Sequence, residues 1–113
     1  MGAAREAVER FNAAFATHEV DAVMAAMTPD CVFEDTTPPD GGRHAGPGPV
    51  RAAWAALFDG SPDGTFSTEE LIEAGDRVVV RWRYDWGGGH VRGVDVFAVR
   101  DGLVAEKLAY VKG

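Results

Sequence analysis

The sequence predicts an α+β fold in which three helices from the N-terminal half pack on the concave face of a curved, mostly antiparallel sheet. Three observations carry that prediction. Apolar residues recur at helical spacing in three segments before residue 60, they alternate from residue 65 onward, and glycine-bearing turns separate the alternating runs. With 113 residues the chain has room for one domain around a single core.

From Ala4 the positions Ala4, Val8, Phe11 and Phe15 form an apolar stripe, and Arg5, Glu6, Glu9 and Arg10 make the wet face of a first helix. Thr17 is placed to cap a second helix, with Val20, Val23, Met24 and Met27 on its buried side and Pro29 as its stop. From Asp30 to Thr36 the period changes to two, with Cys31, Phe33 and Asp35 on one side of a short strand. Thr37 to Pro49 is rich in proline and glycine and reads as a loop of the kind that borders binding sites. Gly48 and Pro49 suit the start of a third helix, whose Val50, Ala53, Trp54, Leu57 and Phe58 form a stripe that ends at Gly60.

Four strands follow as a meander: Thr65 to Ala74, Arg77 to Trp86, His90 to Arg100 and Leu103 to Lys112. Gly75-Asp76, Gly87 to Gly89 and the Asp101-Gly102 hairpin signal turn them. Val78, Val80, Trp82, Tyr84 and Trp86 share one face of the second of these strands, opposite Arg81, Arg83 and Asp85. On the next strand Val91, Gly93, Asp95, Phe97 and Val99 share a side, so one carboxylate lies on an apolar face.

The net charge of -7 argues against nucleic acid or an anionic membrane as partner, because both need a basic surface. Cys31 is the only cysteine, which excludes an intrachain disulfide and suits a reducing compartment. No run approaches the roughly 18 apolar residues of a membrane span, and the acidic start lacks the form of a signal peptide, so the expected location is the cytoplasm. His18, His44 and His90 show no ligand spacing, so no metal is expected, and nothing in the chain calls for a cofactor. Gly87 to Gly89 joins strands instead of opening a helix and is no phosphate cradle.

The element order, the phrase "DCVFEDTTPPDGG" before a Gly-Pro helix start, and the ending "GVDVFAVRDGLVAEKLAYVKG" resemble the nuclear transport factor two-like superfamily, most closely its SnoaL-like and ketosteroid isomerase-like members. The resemblance implies a cone-shaped α+β barrel with an apolar pocket under the helices. It places a general-base aspartate at Asp35 and a protonated, oxyanion-stabilising aspartate at Asp95. Proton abstraction beside a carbonyl needs such a base, and the resulting enolate needs a donor in a dry site. The catalytic tyrosine of the isomerases would fall near Phe11, which has no hydroxyl. The Asp-Arg-Asp set of epoxide hydrolases on this fold would fall at Tyr84, Trp82 and Ala109, so that chemistry is not expected.

The expected site is therefore Asp35 and Asp95 as the proton-transfer pair, with Phe11, Phe15, Trp54, Val80, Trp82, Tyr84 and Phe97 as the substrate-binding wall. The expected partner is an apolar, cyclic or carbonyl-bearing small molecule, and the resemblance adds a homodimer formed through the sheet. Two other readings stand beside the enzyme: a ligand-binding module whose acids only orient a ligand, and a dimerisation domain with a closed core. Each acid has a structural alternative, a strand hydrogen bond for Asp95 and a turn cap for Asp35.

Overall fold

The computed structural model describes residues 2–113. Helix α1 spans Ala3–Ala16 and α2 Val20–Ala25; strands β1 (Met27–Glu34) and β2 (Arg43–Ala45) precede α3 (Pro47–Gly60), and β3 (Thr65–Ala74), β4 (Arg77–Asp85), β5 (His90–Arg100) and β6 (Leu103–Val111) complete the chain. The strands form one sheet in the order β2-β1-β6-β5-β4-β3. All neighbours are antiparallel except β1 and β6. The sheet is not closed: β2 and β3 are its edges.

Register shifts in the β1–β6, β3–β4 and β5–β6 ladders mark bulges, which bend the strands that carry them. The helices cover one face. Ala4, Val8, Phe11 and Phe15 of α1 and Val50, Trp54 and Phe58 of α3 meet Cys31, Phe33, Val78, Val80, Phe97 and Val104 from the strands in one core. Burying a side chain of this size favours folding by about 1.5–3 kcal/mol, so the stripes read from the sequence set how the helices seat. Arg81 and Glu70, Arg92 and Glu69, and Arg83 and Asp85 pair on the opposite face, where exposed ion pairs contribute little. No helix among the described residues is long and apolar enough to cross a membrane.

Several local expectations are corrected. The second helix ends at Ala25, and Met27 opens β1 instead of extending the helical stripe. Long-range pairing decides this: the Val104 N–H donates to the Ala26 carbonyl, and Met27 lies opposite Val104. Pro29 lies within β1, in the bulged stretch between the paired residues Met27 and Val32 where no ladder bond is owed by its missing N–H. Thr17 is the C-cap of α1: its hydroxyl donates to the Ala14 carbonyl and accepts the Glu19 N–H.

The loop after β1 contains a strand, Arg43–Ala45, and α3 starts earlier than expected, at Pro47 behind Gly46 with φ +88°. Trp86 falls beyond the end of β4 and is exposed, so the aromatic face stops at Tyr84. The Asp101-Gly102 signal is realised as a hairpin, with φ +55° and +76° as a type I′ turn requires.

Candidate active site under the helices

Asp95 owes its position to the middle of β5, opposite Val80 of β4 and Ala109 of β6. Lys107 stands two residues before Ala109 on β6 and opposite Phe97, which makes it the diagonal neighbour of Asp95. The Asp95 Oδ2 and Lys107 Nζ are 3.7 Å apart, an ion pair just beyond hydrogen-bond distance, and both residues are 7% exposed. Four aromatic rings surround the ammonium: its distance to the ring centroid is 4.5 Å for Phe15, 5.2 Å for Trp54, 5.5 Å for Phe33 and 5.7 Å for Phe11. Each face within about 6 Å attracts the cation.

Burial pushes the Asp95 carboxyl above the usual carboxylate range, against the opposing pull of the Lys107 charge. The Trp82 indole N–H is buried and has no hydrogen-bond partner among the described residues. Trp82 reaches this place because its partner across the ladder is Gly93: a Cβ there would lie 2.5 Å from the Trp82 ring and collide with the Tyr110 carbonyl.

Two cavities meet at this pair. The larger, of about 490 Å³, has walls that include Phe33, Leu57, Phe66, Trp82, Tyr84 and Val91, with Asp35, His44, Asp95 and Lys107 among its polar lining. The smaller, of about 150 Å³, lies on the α1 side and includes Asn12, Phe15, His18, Phe66, Val80 and Trp82, again with Asp95 and Lys107. A cavity of the larger size, apolar with few polar groups, suits a small organic ligand.

Asp35 lies at the rim, just after β1. Its Oδ1 accepts the backbone N–H of Gly42 at 2.6 Å and of Thr37 at 3.0 Å, and its Oδ2 is 3.1 Å from His44 Nε2. Partial burial raises its carboxyl, but these donors outweigh burial and hold it well below the usual range. Asp35 is thus bonded into the loop that follows β1. It is also the acceptor that orients His44, whose ring stacks on Phe33.

The structure therefore brings Asp35, Asp95, Phe15, Val80, Trp82 and Tyr84 to the two cavities. Phe11, Trp54 and Phe97 are fully buried and line neither, so they belong to the core, where Phe11 and Trp54 act on the site through Lys107. Cys31 is likewise fully buried, with its thiol pushed up by that burial. Among the described residues no group of three or more His, Cys, Asp or Glu side chains is arranged to hold a metal ion. Sequence reasoning missed Lys107 and gave His44 no partner. One signal for Lys107 was available: the chain has nine arginines and only two lysines, Lys107 and Lys112.

No curated protein matches the chain. Among solved structures, an NTF2-like protein of unknown function from Mesorhizobium loti is 41% identical over 98% of this chain and 92% of that one, with a TM-score of 0.85. A proposed polyketide cyclase from Sinorhizobium meliloti is 24% identical, covering 91% of this chain and 92% of its own, with a TM-score of 0.80. A proposed ketosteroid isomerase from Kribbella flavida is 20% identical, covering 98% and 78%, with a TM-score of 0.81. The last two likenesses show the shared fold. The pattern of the SnoaL-like domain runs from residue 8 to residue 107, from the first helix to the lysine of the buried pair, and the chain belongs to that family.

Proposed function

We propose that the chain is an enzyme that moves protons on a small cyclic, carbonyl-bearing molecule with its own side chains, in an isomerase, cyclase or lyase type of reaction. The observation that carries this reading is the Asp95 carboxyl, held above its ordinary range by burial in the wall that both cavities share. A carboxyl poised nearer neutrality is the better acid–base group, and general acid–base catalysis contributes about 10²- to 10⁴-fold. Lys107 places a positive charge where an enolate oxygen would develop, and the unpartnered Trp82 N–H adds a donor beside it. His44, oriented by Asp35, is the second proton carrier at the opposite rim. The names of the polyketide cyclase and ketosteroid isomerase neighbours agree with this reaction class.

A second reading, ligand binding without turnover, draws on the Asp35 side chain, whose bonding to the loop leaves it little basicity. Exchange of α-hydrogens in D2O separates the two without knowledge of the natural substrate. Cyclohexanone, 2-tetralone and related cyclic ketones are incubated with the protein and followed by proton NMR. The enzyme reading expects deuterium wash-in that falls by about 100-fold or more in Asp95→Asn. Saturable quenching of tryptophan fluorescence with no exchange would replace it with the binding reading.

A further inference from the structure

Nine of the eleven basic residues are arginine, and arginine supplies the cation of every surface ion pair to a carboxylate described outside the His44 contact. Among the described residues, the one cation buried among aromatic faces is a lysine. A guanidinium is more weakly hydrated, stacks better on rings and cannot lose its proton in a protein, so it is the better choice where only a buried positive charge is needed. What lysine adds is a nitrogen that becomes a nucleophile once it gives up a proton, and a carboxylate able to take that proton lies 3.7 Å away. Lys107 also lines both cavities.

We propose that Lys107 is an imine-forming nucleophile, whose amine condenses with the carbonyl carbon of a cyclic ketone or aromatic aldehyde held in the 490 Å³ cavity. The inference rests on the reading of that cavity as a carbonyl site and names the covalent chemistry within it. Asp95 takes one proton from the ammonium. The freed nitrogen forms a bond to the carbonyl carbon, and a proton moves from nitrogen to the former carbonyl oxygen to give a carbinolamine. Asp95 then returns its proton to the hydroxyl, the C–O bond breaks and water leaves. The iminium that remains carries the positive charge the ammonium had, among the same four rings, so no net charge is added to the buried site. It also withdraws electrons from the α-carbon, so that removal of a proton there by the Asp95 carboxylate gives a neutral enamine in place of an enolate.

Reductive trapping tests this. The intact chain is incubated with cyclohexanone, 2-tetralone or 2-naphthaldehyde and sodium cyanoborohydride, and the adducts are located by peptide mass mapping. Lys112, exposed near the C-terminus, is an internal comparator on the same molecule. The expected result is reduced adduct at Lys107 formed at least about tenfold faster than at Lys112, as an activated nucleophile requires, with that preference lost in urea. Lys107→Arg keeps the charge and should lose the adduct while keeping the near-ultraviolet circular dichroism of the folded chain. Lys107 that stays unlabelled by all three probes, or reacts no faster than Lys112, overturns the proposal. α-Hydrogen exchange that persists without adduct removes the imine and leaves the proton-transfer reading standing; adduct without exchange does the reverse.

Discussion

Asp95 on β5 and Lys107 on β6 are diagonal neighbours on the covered face of the sheet, and each, nearly buried, gives the other an opposite charge 3.7 Å away. Their attraction offsets desolvation only while both are present. Removing one partner leaves a buried charge without compensation, which typically costs 3–5 kcal/mol.

Lys107→Met is accordingly expected to destabilise the fold by roughly 3–5 kcal/mol at neutral pH, read as a lowered urea midpoint. The loss should shrink in acid, where Asp95 can bind a proton. A double variant, Lys107→Met with Asp95→Leu, should recover much of the stability, since an apolar pair of similar volume leaves no orphaned charge. Equal instability of the double and single variants would show that packing, not charge, holds the site.

The two aspartates are expected to tilt stability in opposite directions with pH. The folded-state pKa of Asp35 is lowered, so its contribution is full above the unfolded value of about 3.9 and is lost as pH falls through the lowered value. The folded-state pKa of Asp95 is raised, so its contribution is full below about 3.9 and is lost as pH rises through the raised value. Urea midpoints across the acid and neutral range should therefore show the advantage of the native chain over Asp35→Asn shrinking toward acid. Its advantage over Asp95→Asn should shrink as pH rises above about 4. Parallel curves for the native chain and Asp95→Asn would mean that Asp95 is no more buried than an ordinary surface acid.

Gly93→Ala tests how the indole is placed. The added methyl would overlap the Trp82 ring and the Tyr110 carbonyl, and backbone cannot yield as a flexible side chain does. Overpacking of this kind costs about 1–3 kcal/mol. The expected outcome is lower stability together with a red-shifted tryptophan emission, as Trp82 is pushed out of its buried place beside Asp95. Unchanged emission would mean that the strands part instead and leave the ring where it is.

Features that depend on local periodicity were legible in the chain. The stripes Ala4, Val8, Phe11, Phe15 and Val50, Trp54, Phe58 face the core as their spacing required, and Asp95 lies on the apolar side of its strand with Phe97. The family was also visible in short phrases of the chain, and the matching SnoaL-like domain covers most of it.

What sits at the floor of the site follows from how the strands assemble. Simple alternation along β6 that buries Val104 would turn Lys107 outward. The bulge opposite Ala98 and Val99, which pair with Glu106 and Val104, inserts Ala105 and reverses the parity, so that Val104 and Lys107 are both buried. The role of Asp35 was hidden for a related reason. Its donors come from Thr37 and Gly42 and from His44 on a three-residue strand, brought back by pairing with β1 and not by any periodicity of their own. Pattern shows which face a residue takes within an unbroken element; where a ladder slips or a loop folds back, only the assembled sheet sets the facing and hence the chemistry.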